Sequence, residues 1–190
     1  MLRTCNIGKF GWLFSNGSST NAINFRHMSA IASFYVVPGE RLTDIVAAAT
    51  PGAGGWFRPA RDKFWEVLRA SGRELETFDG SGWVFNTLDL YLESRHGFMY
   101  VNFGDAAASR QLSEARGSEW LVLPAASAAE LVAALDAVEC ETGDVTAFVA
   151  SERGPDSTAE EATAVQAALA TLKAWLAEVS PGSVGLLSVG

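Results

Sequence analysis

Two cysteines in 190 residues, Cys5 and Cys140, lie in unrelated surroundings, so no disulfide framework is expected and a reducing compartment fits the chain. No apolar run approaches the roughly 20 residues that cross a bilayer. The candidate near the start, Phe10 to Phe14, is too short for the core of a signal peptide. The sequence also lacks a phosphate-binding Gly-Lys-Ser/Thr loop, a Gly-x-Gly-x-x-Gly turn, histidines paired at metal spacing and a Gly-x-Ser-x-Gly elbow. These absences lead to the expectation of a cytoplasmic protein with no cofactor and no membrane contact.

Acid is missing from the first 27 residues, which carry Arg3, Lys9 and Arg26 and are rich in Asn, Ser and Gly. They show neither helical nor strand periodicity and read as a poorly ordered extension; alternatively the native chain begins at Met28. The whole chain has 14 basic and 22 acidic residues. Setting the three early cations aside leaves 11 against 22 from Met28 onward, a balance of −11. A field of that sign repels phosphate backbones and anionic lipid, so nucleic acid is not an expected partner, while a basic protein is. The same acidity also serves solubility.

What is present is material for a core. Hydrophobic residues make up 48% of the chain, with six Trp and eleven Phe, enough for one domain of ordinary size without staples. Residues 28–190 are read as that single domain.

Ser29 to Val37 is an apolar run ended by Pro38-Gly39, the pattern of a buried first strand. Helices are expected over Glu40–Ala49, Pro59–Ala70 and Trp83–Arg95, the last closed by His96-Gly97. Phe98–Phe103 and Trp120–Leu123 read as short strands, with a helical or turn-like stretch over Asp105–Arg116 between them. Ser127 and Glu130 form a capping-box pattern for a helix over Pro124–Val138, and Ser157 with Glu160 repeats it before a long helix over Thr158–Val179. Thr146–Val149 reads as one more strand and Val184–Val189 as the last. The two apolar strands at opposite ends are expected to pair. Without regular β-α-β alternation the fold class is α+β, a single mixed sheet with helices packed against it and a long C-terminal helix before a terminal strand.

Four patterns could carry function. On the third helix Asn86, Asp89 and Glu93 stand three and four apart with His96 three beyond, a spacing that could gather carboxylate and imidazole around a divalent cation for metal-assisted hydrolysis. A solvated helix face with a capping His explains the same spacing. Arg58, Arg61 and Lys63 among Trp56, Phe57, Phe64 and Trp65 form a basic-aromatic knot, either a single-strand nucleic-acid platform or buried rings with snorkelling cations. Ser81, between two glycines, lacks the preceding strand of a nucleophile elbow. Glu74, Glu76 and Asp79 lead into Gly80-Ser81-Gly82-Trp83, placing acid beside an aromatic on a surface loop. That combination suits a protein contact with Trp83 as anchor, although Trp83 could instead staple the following helix.

Taken in order, Met28-Ser29-Ala30-Ile31-Ala32-Ser33-Phe34-Tyr35, the Asp62-Lys63-Phe64-Trp65 helix ahead of Trp83 to Leu92, and the closing Gly185-Leu186-Leu187-Ser188-Val189-Gly190 resemble the YfbM-like family of small bacterial proteins of unknown function. The resemblance spans Met28 to Gly190. It implies an α+β fold, a bacterial cytoplasmic protein and a start near Met28, and it brings no functional residue with it. The expected function is a non-enzymatic interaction module for a protein partner, a basic one such as a toxin, through Glu74, Glu76, Asp79 and Trp83. The alternative is a metal-assisted hydrolase using Asp89, Glu93 and His96.

Overall fold

The structure is a computed structural model that describes residues 30–50, 62–154 and 159–190. Its strands are β1 (Ala32–Pro38), β2 (Arg73–Glu74), β3 (Glu119–Pro124) and β4 (Ser183–Val189). Its helices are α1 (Leu42–Ala49), α2 (Phe64–Ser71), α3 (Val84–His96), α4 (Ala106–Arg116), α5 (Ala125–Asp136), α6 (Thr142–Arg153) and α7 (Ala159–Ala177). The fold is α+β, with a C-terminal helix followed by a terminal strand, as the sequence pattern implies.

The strands form one antiparallel sheet in the order β2-β1-β4-β3. The first and last strands meet at its centre, Ala32 opposite Val189 and Pro38 opposite Ser183. Alternation along each strand divides the apolar side chains between two faces. Ala32, Phe34, Leu121, Leu123, Leu187 and Val189 pack with α3, α5, α6 and α7. Tyr35, Val37, Trp120, Val122, Val184 and Leu186 pack with α1, α2 and α4. Burial on both faces is why the strands read as continuous apolar runs.

Both edges of the sheet are closed. On the outer side of β3, Ser109 Oγ accepts from Val122 N at 2.9 Å and Ser113 Oγ from Trp120 N at 2.9 Å. Asp105 N donates to Val122 O at 2.8 Å. Two serines four apart on α4 thus take the hydrogen-bonding groups that a further strand would use. On the outer side of β1, β2 pairs with Tyr35 and Val36, and the chain beyond it continues along the edge.

Several expectations are corrected. Phe98–Phe103 is not a strand: Tyr100–Phe103 forms a 3-10 turn, because Asp89 reaches across and takes its leading N–H groups. Thr146–Val149 is the interior of α6, where Val145, Phe148 and Val149 recur at helical spacing and are buried. The capping box at Ser127 and Glu130 does not form, since α5 already starts at Ala125, directly after Pro124. β2 had no counterpart in the sequence reading. The loop up to Gly55, the first part of the Pro59–Ala70 helix, Ser157 of the second capping box and the extension over 1–27 lie outside the described residues.

Candidate functional site

The chain after α2 runs as a strip along β1. Leu75 N donates to Phe34 O at 2.8 Å, Phe78 N to Ala32 O at 3.2 Å and Gly82 N to Ala30 O at 2.7 Å. The last contact requires glycine: a Cβ on Gly82 would lie 3.0 Å from Ala32 N and from Ile31 C. Glu74, Glu76, Asp79 and Trp83 are therefore strung along the sheet edge rather than gathered at one point.

Their situations differ. Glu74 Oε1 accepts the Tyr35 hydroxyl at 3.0 Å, and burial, then the hydrogen bond to Glu74, pushes that hydroxyl up to about 12. Glu76 and Asp79 have exposed side chains, while the Glu76 carbonyl accepts from the Trp175 indole at 3.1 Å. Trp83 is the N-cap residue of α3 and is 38% exposed. Beside the strip, α7 presents Thr163, Ala164, Ala167 and Ala174, and a shallow groove runs between the two. Asp79 and Glu160 border one end of it, and Glu178, held by Arg73 at 2.7 Å, borders the other.

The cluster on α3 does not converge. Asp89 points inward, 5% exposed, and its Oδ1 accepts from Tyr100 N at 2.6 Å and Val101 N at 3.5 Å. Glu93 is exposed one turn further on. His96 packs edge-on against Tyr91 with ring centroids 5.6 Å apart, and its Nε2 is buried without a hydrogen-bond partner. Among the described residues no three His, Cys, Asp or Glu side chains gather in a metal-binding arrangement. Burial, against the pull of the two backbone N–H groups, pushes the Asp89 carboxyl up to about 7, with Glu93 and Glu119 adding repulsion.

A second polar set was missed in the sequence because its members come from α3, from α6 and from the segment before α6. The Tyr91 hydroxyl donates to Asp144 Oδ2 at 3.0 Å, Arg95 Nε sits 3.3 Å from Asp144 Oδ1, and Cys140 adjoins them. Burial pushes the Cys140 thiol up, which lowers its thiolate fraction and makes it a poor nucleophile. Ser81 is exposed and precedes α3, whereas His96 closes that helix, so roughly 20 Å of helix separates the hydroxyl from the imidazole.

Part of the basic-aromatic knot, Trp56 to Arg61, lies outside the described residues. In the rest, Phe64 is buried and Trp65 packs with Tyr35 and Trp120. The Arg116 guanidinium lies 4.6 Å from the Phe64 ring centroid, and Asp62 engages it through two bonds of 3.1 and 2.8 Å. Arg116, which is not among the knot's own cations, is thus engaged by a half-exposed carboxylate.

No family model matches the chain. No curated protein matches it. Among solved structures the chain is similar to YfbM from Escherichia coli, described as a protein of unknown function, at 12% identity and a TM-score of 0.48 over 84% of this chain and 99% of that one.

Proposed function

We propose that the chain is a non-enzymatic, cytoplasmic protein-interaction module that binds a basic partner through the strip from Glu74 to Trp83. The observation that carries this reading is Trp83 itself: a large ring, 38% exposed, follows the exposed carboxylates of Glu76 and Asp79 on a backbone pinned to β1. A rigid aromatic anchor beside charge is the usual make-up of a contact hot spot. The balance of −11 from Met28 onward supplies the long-range attraction for a cationic protein.

Capture from native bacterial lysate at low and raised salt, with mass spectrometry of the retained proteins, tests it. The expected result is one basic protein whose retention falls with salt and is lost in Glu76→Ala/Asp79→Ala and in Trp83→Ala. Retention indifferent to salt and to these substitutions, or none by a folded sample, overturns the reading.

A further inference from the structure

We propose that the chain's own residues 1–27 dock in the groove between the strip and α7, the apolar run Phe10 to Phe14 on its floor and the cations around that run against the carboxylates of its rim. Docking needs this chain alone; its consequence, that the segment competes with a basic partner, rests on the reading of the strip given above.

The groove is apolar at its floor and acidic at its edges. Leu75 and Phe78 of the strip form one side of the floor. Between Glu160 and Trp175 the α7 side chains that line the other side are no longer than threonine, so large groups can come close to the helix. Glu76, Asp79 and Glu160 stand exposed on the rim. The cation among the lining residues, Arg73, is taken by Glu178 at 2.7 Å. Such a surface is complementary to large apolar side chains flanked by positive charge.

Residues 1–27 supply that combination. Phe10, Trp12, Leu13 and Phe14 lie close together, Lys9 directly precedes them, Arg3 and Arg26 stand on either side, and the segment has no Asp or Glu. With a balance of −11 from Met28 onward, this is the part of the chain that the acidic rim attracts.

The segment joins the described residues beside the groove. Ala30 O accepts from Gly82 N at 2.7 Å, and Gly80, two residues earlier, lines the groove. Phe14 stands 16 residues before Ala30, and a Ser- and Gly-rich connection of that length covers about 20–24 Å. The strip from Gly80 back to Arg73 runs roughly 23 Å when extended. The connection therefore reaches along the groove and sets an effective concentration on the order of millimolar, at which contacts too weak to join separate molecules suffice.

Amide NMR spectra of the full chain test the docking with no partner present. Phe10→Ala/Trp12→Ala and, separately, Arg3→Gln/Lys9→Gln/Arg26→Gln leave residues 28–190 unchanged, so both variants are expected to fold. Expected are shifts at the amides of Asp79, Gly80, Thr163 and Ala167, with those of α4, on the opposite face of the sheet, staying in place. Raised salt reproduces the shifts of the cation variant. Ala164→Leu/Ala167→Leu fills the groove without altering charge, and in that background the Phe10→Ala/Trp12→Ala substitutions move nothing on the strip. Groove amides that stay in place in both segment variants overturn the docking, as do shifts that fade on dilution, which put the segment on a second copy. Lysate capture separates this from the reading of the strip. Shifts with no captured protein leave the docking standing without that reading, whereas retention of a basic protein that rises severalfold in the segment variants is the competition expected; retention unchanged by them overturns the competition.

Discussion

The residue that ties most of the structure together is Trp175. Its ring stacks on Phe34 of the central strand and on Phe85 of α3, each with centroids 5.5 Å apart, and its indole N–H holds the carbonyl of Glu76. One side chain thus packs α7 on the sheet and fixes the strip that carries the proposed contact. The two roles separate by substitution. Trp175→Phe keeps most of the apolar contact and leaves the Glu76 carbonyl without its donor, for an expected loss of about 1–2 kcal/mol. Trp175→Ala also opens a cavity and costs about 3–5 kcal/mol. Denaturant unfolding of the two variants measures both; no loss in Trp175→Phe would show that the hydrogen bond contributes nothing, and equal losses that the ring adds nothing beyond it. None of this was legible beforehand, because helical spacing along the C-terminal helix does not reveal which partners its rings and N–H groups meet. Asp89 was misplaced for a related reason: three-and-four spacing tells which residues share a helix face, not whether another segment covers that face.

At the scale of elements, local pattern served where the period was unambiguous and failed where it was short. The alternation of α3, α7 and the terminal strands follows from burial on one stripe or two faces, and these elements fall close to where the sequence places them. Thr146–Val149 is β-branched or aromatic at three of its four residues, but its packing against α7 decides in favour of helix, and Val145 with Phe148 was the overlooked signal. The edge of β3 shows the same dependence on context, since nothing in Ser109 or Ser113 alone reveals that they stand in for a strand. Replacing both with alanine leaves Val122 N and Trp120 N without acceptors, at about 1–3 kcal/mol for each group left buried and unpaired. It also exposes a strand edge. The expected outcome is a lower unfolding midpoint together with concentration-dependent association in size-exclusion chromatography. A destabilised variant that stays monomeric at every concentration would mean that α4 screens the edge by bulk rather than through its hydroxyls.

The whole molecule is organised by the meeting of β1 and β4. β4 lies between β1 and β3 and completes both ladders, so Val184, Leu186, Leu187 and Val189 are buried on two faces at once. Pairing of the two end strands was legible from their apolar runs, whereas the central place of β4 was not, since strand order depends on which helices cover which face. The consequence is strong non-locality: the middle of the sheet forms only when residues about 150 apart in the sequence meet, and such contacts slow folding because the loop must close before it is rewarded. A chain ended at Pro181 keeps every described helix sequence and three of the four strands, yet it leaves β1 and β3 without a partner between them. Its expected behaviour is loss of cooperative unfolding and exposure of apolar surface, seen as a non-sigmoidal denaturant curve and dye binding in the absence of denaturant. Retention of a sharp transition would show that the helical layers fold without the sheet, and the strip from Glu74 to Trp83 would then owe its shape to α7 and not to β1.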